Sequence, residues 1–353
     1  MMQIEDLPSY NFTNLSEIIN AQKKLSEKHV ALEFITALEG AIKYKRTEEI
    51  GYLYDYAFNK LSQDYFSNKT WTTPHELEQD DDNLEIDLLT QTLYNELAYR
   101  HVYARLQIQD HDLRQKSWEN YMDLFEYVIP KKKSLLGDSV ELPSKWVWDM
   151  IDEFIYQFQN FCFFRSKIRS ANDPSFQSLK DNTSLPNLAD VKRVLERFIT
   201  ESGILDSEGQ FVEIKQVKTI HYLGYYSIVG LCKLYVIIGD GAKALDVIAP
   251  VDFTRIDIYS KSWSCLNSLF YFAGLTYLLN KKYIESTKLL ETIVSFSNKY
   301  KHFFIKSFQY DNIVKQLDRA LLLLCICLSL NQIPISATVK GNFFNSKKNR
   351  INC

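Results

Sequence analysis

The sequence predicts an all-α fold in which helical hairpins repeat and stack as a right-handed solenoid. Apolar residues recur at spacings of three and four in each apolar segment, which is the period of a helix with one buried face. Only 11 glycines and 8 prolines interrupt the 353 residues, too few for the many tight turns of an all-β chain. A helix–turn–helix pattern also occurs twice in the second half, and this repetition favours a repeat architecture.

The apolar pattern divides the chain into four segments. Residues 1–50 contain short amphipathic stretches and form a predicted N-terminal helical segment, whose position in the fold the sequence does not specify. Residues 51–170 form a predicted helical bundle, and residues 188–330 form the predicted helical repeats. The composition turns polar after Pro334, so we expect residues 331–353 to be a disordered tail.

One helix with an aromatic surface is predicted over residues 142–169, inside the bundle. Its apolar residues recur at helical spacing, at Val147, Ile151, Phe154, Phe158 and Phe161. Trp146 and Trp148 widen the apolar surface beyond one stripe. We therefore expect other helices to cover this helix on two or more sides.

The repeats follow the tetratricopeptide pattern, in which a large residue of one helix packs on a small residue of the next. In the first copy the large residue is Tyr235 and the small residue is Ala244, with Gly239 and Asp240 in the turn between. A second copy lacks the Gly-Asp turn and contains Phe270, Gly274, Tyr277, Tyr283, Ser286 and Leu290. Because the two copies lie further apart than the usual ~34 residues, an insertion is implied around residues 252–260.

The same turn also matches a dinucleotide-binding fingerprint. Residues 236–244 contain GxGxxA after an apolar run, and such glycines allow a backbone to approach a pyrophosphate at a helix N-terminus. That motif requires a preceding strand, whereas the residues before Gly239 have helical period. The sequence thus favours the helical turn and predicts no bound cofactor.

Acidic residues and histidines supply the other candidates for chemistry. Asp149, Asp152 and Glu153 share one helix face and could bind a metal or act as an acid–base pair. No histidine follows at ligand spacing, so complementation of the helix dipole and surface ion pairs are favoured instead. His101 lies on a helix between arginines, where a structural role is favoured over catalysis. The sequence predicts neither a metal site nor an enzyme.

Charge and hydropathy limit the partner classes. The net charge is −3, so no overall field attracts nucleic acid or membranes. Basic clusters at residues 131–133 and 347–350 leave direct RNA contact open. The most apolar run, residues 320–330, is far shorter than the roughly 20 residues that span a bilayer. Six cysteines without a metal or disulfide spacing fit a reducing compartment.

Three stretches together resemble a known family. They are Leu-Tyr-Asn-Glu-Leu-Ala-Tyr-Arg-His-Val-Tyr-Ala-Arg at residues 93–105, the Trp-Val-Trp-Asp helix at residues 142–159, and residues 222–231 followed by Gly239 and Asp240. In order and separation they are similar to subunit L of eukaryotic translation initiation factor 3. The likeness covers about residues 52–330 and does not include the first fifty residues.

The resemblance implies a non-enzymatic scaffold subunit in the cytoplasm. Its partners would be other subunits of the initiation factor 3 complex, which binds the small ribosomal subunit and helps to recruit initiator tRNA and mRNA. The alternative is a generic tetratricopeptide adaptor outside translation. The resemblance also implies a PCI domain after these helices, which we expect this chain to lack. On that expectation, the apolar helix at residues 320–330 should expose an apolar patch.

Overall fold

The computed structural model describes residues 13–21, 25–79, 84–108, 110–129, 140–170, 185–304 and 310–331. Within these ranges the protein is helical, and the only β-type pairing is an isolated bridge between Leu205 and Phe211. The predicted all-α class is confirmed, whereas the solenoid stays a prediction. Both basic clusters and the tail beyond Asn331 lie outside the described residues.

The chain divides into two compact units. The first, here the N-terminal unit, contains residues 2–194 and 216–220, and the second, the C-terminal unit, contains residues 195–215 and 221–353. The helices preceding the division are α1 (Thr13–Ala21), α2 (Glu27–Lys43), α3 (Thr47–Tyr52), α4 (Phe58–Asp64), α5 (Pro74–Glu78), α6 (Leu88–His101), α7 (His111–Val128) and α8 (Ser144–Ser170). Two π-helical turns, Leu53–Ala57 and Val102–Leu106, continue α3 into α4 and extend α6.

The remaining helices belong wholly or partly to the C-terminal unit. Helices α9 (Leu188–Ser202) and α10 (Thr219–Ile237) contribute residues to both units. The others are α11 (Gly241–Ile248), a short 3-10 turn (Tyr259–Lys261), α12 (Trp263–Leu279), α13 (Tyr283–Phe304) and α14 (Tyr310–Asn331). An irregular segment separates α11 from α12, where the sequence implied an insertion between the repeats.

Aromatic residues build the core of the N-terminal unit. Phe154 of α8 stacks on Trp118 of α7 with ring centroids 4.5 Å apart, and it meets Phe125 edge-on at 5.0 Å. A second cluster surrounds Trp71, whose indole stacks on Phe66 at 4.2 Å. The Trp71 indole N–H donates to Ser62 Oγ at 3.0 Å, so its polar atom is paired inside the core. In α8 itself, successive residues on all sides of the helix are fully buried, so other elements cover it on two or more sides, as its composition predicts; they include Trp146, Val147, Trp148, Met150 and Ile151.

Helix α10 is long and strongly apolar. Its length and composition would suffice to cross a membrane, yet 67% of its most apolar 18-residue stretch is buried inside the protein. Tyr226 and Leu234 within it are fully buried. Such burial is typical of the core helix of a globular unit.

Candidate functional site: a buried polar network and a repeated helical turn

A network of polar side chains lies inside the N-terminal unit, and we call it the Glu96 network. Its six members come from the π-helical turn and from α6, α7 and α8; they are Tyr54, Glu96, Arg100, Tyr121, Trp146 and Asp149. Trp146 and Asp149 are two of the three residues that the sequence singled out in the Trp-Val-Trp-Asp helix; the third is Trp148. Four helical segments are thus connected through one buried set of hydrogen bonds.

Glu96 accepts hydrogen bonds from three different helices. Tyr121 of α7 donates its hydroxyl to Oε1 at 2.8 Å, and the Trp146 indole of α8 donates to Oε2 at 3.0 Å. Arg100, one turn along α6, forms an ion pair with Oε1. The carboxylate is almost fully buried. These three donors, one of them charged, compensate for the loss of hydration.

Arg100 extends the network to Tyr54 and Asp149. Its Nη1 donates to the Tyr54 hydroxyl at 2.6 Å, and the Tyr54 hydroxyl in turn donates to Asp149 Oδ2. The same Nη1 lies 3.7 Å from Asp149 Oδ2. The Tyr54 ring stacks on the Trp146 indole with centroids 4.9 Å apart and planes 14° apart. Ring stacking and hydrogen bonds thus hold the same side chains in position.

Burial and the neighbouring charged groups shift the pKa values of two phenols and one guanidinium in this network. Burial raises the pKa of Tyr54 well above its usual range, and the Asp149 and Glu96 carboxylates raise it further. Burial also raises the pKa of Tyr121, with Glu96 as the second cause. Burial alone would lower the pKa of Arg100, but Glu96, Tyr54 and Asp149 together raise it well above its ordinary value. Both phenols therefore stay neutral and the guanidinium stays charged.

The interpretation of Asp149 as part of a surface ion-pair cluster is wrong. Asp149 is buried and faces Arg100 and Tyr54, while Glu153, one turn further along α8, is half-buried. Burial raises the pKa of Glu153 to about 7, although Arg100 opposes this shift. The physical reason is that α8 is covered on the face that carries these acids, so that face is not a solvated one.

Trp148 and His101 are also interior residues. Trp148 is fully buried, as its place in the predicted aromatic helix suggests. The His101 Nε2 lies 3.0 Å from the Lys69 carbonyl oxygen, to which it donates, and burial lowers the pKa of the ring. The structural role favoured for His101 fits this contact with a backbone carbonyl.

The Glu96 network is suited to fixing helices and not to reacting with a substrate. Glu96, Tyr121, Trp146 and Asp149 are all buried, so a substrate would have to displace packed side chains to reach them. Such a paired network resists separation of its helices, because breaking it would leave a buried charge unpaired. We conclude that it sets the positions of α6, α7 and α8 relative to the π-helical turn.

The second part of the site is the turn between α10 and α11. Gly239 has a φ of +83°, and its N–H donates to the Val236 carbonyl at 3.1 Å. Asp240 N–H donates to the Tyr235 carbonyl at 2.8 Å, which completes a Schellman motif. The Asp240 carboxylate then caps α11 by accepting from Lys243 N–H at 3.1 Å. Gly239 and Asp240 thus end one helix and begin the next.

The corresponding turn of the second copy has the same geometry without glycine. Lys281 has a φ of +60° and donates its N–H to the Leu278 carbonyl at 3.0 Å, while Lys282 N–H donates to Tyr277 at 2.8 Å. Tyr235 and Tyr277 therefore occupy equivalent positions before the two turns. This equivalence explains why the second copy is recognisable although its turn lacks Gly-Asp.

Small residues follow each turn at the same spacing. Ala244 and Ser286 are fully buried, and Tyr235 is buried in the preceding helix. Ser286 Oγ donates to the Gly274 carbonyl at 2.7 Å, and a Cβ added to Gly274 would lie 2.9 Å from Leu290. The backbones of α12 and α13 thus approach closely where small residues permit it. Direct contact between Tyr235 and Ala244 stays a prediction.

The context of the GxGxxA match is a turn between two helices. Helix α10 precedes Gly239, where a dinucleotide fold places a strand. Gly239 serves the helix end, and Gly241 lies where a Cβ would be 3.3 Å from Leu279. Each glycine therefore has a role in packing or in the turn. The structure also contains no group of three or more His, Cys, Asp or Glu placed to hold a metal ion within its described ranges.

Sequence reasoning missed four members of the Glu96 network. Glu96 and Arg100 are spaced i, i+4 within an otherwise apolar helix face, a pattern that could have indicated a paired internal charge. Tyr54 and Tyr121 carry no such pattern. Their contacts are long-range, since Tyr54 and Asp149 lie on separate helices far apart in sequence.

The chain matches one family model and several curated relatives. The model of the family described as RNA polymerase I-associated factor PAF67 matches residues 113–352. Among curated relatives, eukaryotic translation initiation factor 3 subunit L of Anopheles gambiae is 32% identical over 326 residues, covering 89% of this chain and 59% of the relative. The same subunit of Nematostella vectensis is 33% identical over 293 residues, covering 80% and 54%.

A fungal relative extends the comparison. Eukaryotic translation initiation factor 3 subunit L of Mycosarcoma maydis is 29% identical over 308 residues, which cover 84% of this chain and 45% of the relative. The chain spans less than two thirds of the length of each of these relatives.

Proposed function

Because the chain belongs to the PAF67 family and its relatives are named as subunit L of eukaryotic translation initiation factor 3, we propose that it is a non-enzymatic scaffold subunit of that complex. The observation that carries this proposal is similarity over 89% of the chain to a named subunit. The part of the chain matched by the family model includes both Trp146 of the Glu96 network and the Gly239 turn.

The proposed mechanism uses protein contacts in place of chemistry. The Glu96 network holds four helical segments in fixed positions, and the C-terminal unit repeats a helical hairpin. Paired helical repeats commonly expose side chains to protein partners. The chain would contact other initiation factor 3 subunits directly. Through the complex it would support recruitment of the small ribosomal subunit, initiator tRNA and mRNA in the cytoplasm.

Affinity purification tests this proposal. The tagged chain is expressed in eukaryotic cells, recovered from lysate at moderate salt and analysed by quantitative mass spectrometry. We expect several initiation factor 3 subunits to be enriched together, in constant ratio to the bait. The control is an Arg100→Met variant, in which the ordered network is broken and recovery should fall in proportion to the loss of folded protein.

Other outcomes decide between the alternatives. Recovery of a folded bait, as judged by far-UV circular dichroism, without initiation factor 3 subunits would overturn the proposal. Enrichment of RNA polymerase I subunits would instead favour the association for which the PAF67 family is named. Enrichment of an unrelated assembly would favour the generic adaptor.

A further inference from the structure

A cleft of about 600 Å³ opens on the C-terminal unit. It lies between the segment at residues 210–214, Tyr225 of α10, and the irregular segment at residues 250–259. Phe211 and Tyr225 face each other with ring centroids 5.0 Å apart, and Tyr225 meets Tyr259 edge-on at 5.9 Å. Three aromatic rings thus form a continuous wall.

The backbone along one side of the cleft has an unused edge. Leu205 and Phe211 form an antiparallel bridge flanked by hydrogen bonds from Asp206 N–H to Gln210 and from Val212 N–H to Ile204, at 2.9 Å each. In this arrangement the N–H and C=O of Phe211 itself point away from the pairing segment. Residues 210–214 line the cleft whereas residues 204–206 do not, so the unused edge lies on the cleft side. Such an edge can pair with an added extended chain.

Charges at the cleft are predominantly negative. Glu213, Asp252 and Asp257 line it, against the single guanidinium of Arg255 among the lining residues. All four of these residues are exposed. The Asp252 carboxylate accepts hydrogen bonds from the Thr254 hydroxyl at 2.6 Å and the Thr254 N–H at 2.9 Å, which lower its pKa below the usual range. The cleft therefore attracts cations and repels nucleic-acid phosphates.

The Tyr259 hydroxyl supplies an independent indication of a ligand. Tyr259 lines the cleft and is 2% exposed, yet its hydroxyl has no hydrogen-bond partner among the described residues. Leaving a buried hydroxyl unpaired is unfavourable, so native proteins usually satisfy such groups.

We infer that this cleft binds an extended segment of a partner protein in which basic residues alternate with apolar ones. The segment would pair its backbone with Phe211, place an apolar side chain against the Phe211–Tyr225–Tyr259 wall, and direct basic side chains to Glu213 and Asp257. The Tyr259 hydroxyl would bond to a polar group of the same segment. The inference rests on the cleft alone and not on the proposed role in translation, so either can fail without the other.

A pair of peptide libraries tests the inference with the full chain. One library has the pattern X-Arg-Z-Arg-X, where X is Val, Ile or Leu and Z is Phe, Tyr or Leu, and the matched library has Glu in place of Arg. Fluorescence anisotropy should show saturable binding of the best Arg peptides, with affinity at least about tenfold above the corresponding Glu peptides. N-methylation of the central residues of the best peptide should also weaken binding, because it removes backbone donors.

Charge reversal on the protein locates the site. Glu213→Lys and Asp257→Lys should each weaken binding of the best Arg peptide, and the double variant should lose about tenfold or more. Glu208→Lys is the matched control, since Glu208 is exposed on the same hairpin outside the cleft; it should leave the affinity unchanged. Equal recovery from the two libraries, or equal losses in Glu208→Lys and the double variant, would overturn the inference.

Discussion

At the scale of residues, Arg100 lies between two buried carboxylates. It pairs with Glu96 on its own helix and lies 3.7 Å from Asp149 of α8. Arg100→Met would keep the apolar stem but leave both carboxylates without this cation. We expect the free energy of unfolding to fall by about 3–5 kcal/mol, the usual cost of breaking a buried pair from one side. Urea unfolding followed by tryptophan fluorescence measures the change.

Arg105→Met is the control for this substitution. Arg105 lies in the π-helical turn that follows α6, is exposed and donates to Asn59 Oδ1 at 3.2 Å. Its removal should change stability by only about 0.5 kcal/mol or less. Equal losses for the two arginines would show that Arg100 contributes no more than a surface residue.

Glu153 gives the fold a pH dependence. Its pKa in the folded protein is about 7 and its ordinary value is 4.5, with burial as the main cause. Between these two values the folded state holds a proton that the unfolded state releases. The free energy of unfolding therefore falls as pH rises through this window and levels off above about pH 7, by about 1–3 kcal/mol in total.

Glu153→Gln should remove this fall, because glutamine does not titrate. Thermal unfolding between about pH 5 and pH 9 should show a flatter profile in the variant than in the unmodified chain. Glu119→Gln, on the exposed face of α7, should keep the original profile. A profile unchanged by Glu153→Gln would contradict the raised pKa.

At this scale the sequence predicts burial better than it predicts partners. Trp146 and Trp148 were expected to be buried because aromatic residues surround them in the pattern, and both are. The bond from Trp146 to Glu96 was not predicted, since periodicity along one helix does not specify which distant helix packs on it. Asp149 was misplaced for the same reason.

At the scale of elements, the two turns of the repeat test the role of glycine. Gly239 has a φ of +83°, and an added Cβ would meet no atom within 4 Å, so backbone strain alone opposes a side chain there. Gly239→Ala should lower stability by about 1–2 kcal/mol. Lys281→Gly, at the equivalent position with a φ of +60°, should cost less than about 1 kcal/mol or be stabilising. Thermal midpoints of the two variants measure the contrast, and equal losses would contradict it.

Ala244 tests the predicted packing of the repeat. It is fully buried in α11, so Ala244→Trp should overpack the hairpin and lower stability by about 1–3 kcal/mol. Ala242→Trp places the same side chain on an exposed position of the same helix and should change stability little. Circular dichroism during heating compares the two. Equal thermal midpoints would count against the tetratricopeptide assignment.

The turn of the first repeat was predictable and that of the second was not. Gly239 and Asp240 are residue types that favour a left-handed helix end and a helix cap, so their pattern indicated a turn. Lys281 adopts the same left-handed conformation without a residue type that indicates it. Backbone hydrogen bonds to the Leu278 and Tyr277 carbonyls close this turn, and they require no particular side chain at residue 281.

At the scale of the molecule, helical periodicity predicts the class of fold but not the division into units. The sequence placed a boundary near residues 171–187, between bundle and repeats. The observed units divide within α9 and again within α10, and residues 216–220 belong to the N-terminal unit. Thr219 shows why: its hydroxyl accepts from Leu142 N–H at 2.7 Å, a contact between residues distant in sequence. Local sequence patterns do not indicate such contacts between residues far apart in the sequence.

An apolar stripe runs along the exposed side of α14. Leu322, Ile326 and Leu330 recur at helical spacing and are 59%, 49% and 56% exposed within the part of the chain that the structure describes. Adjacent exposed apolar side chains promote self-association and bind hydrophobic dyes. We therefore expect the purified chain to bind such a dye in its folded state and to elute as more than a monomer at high concentration. The double variant Leu322→Glu/Ile326→Glu should reduce both effects.

The matched control for the stripe is Ser329→Glu. Ser329 is exposed on the same helix, so this variant adds negative charge without removing apolar surface. Dye fluorescence and size-exclusion chromatography should distinguish it from the double variant, since only loss of the leucine and isoleucine side chains removes the stripe. A monomer without dye binding would show that the stripe is covered in solution. Equal effects of the two variants would instead assign the association to charge.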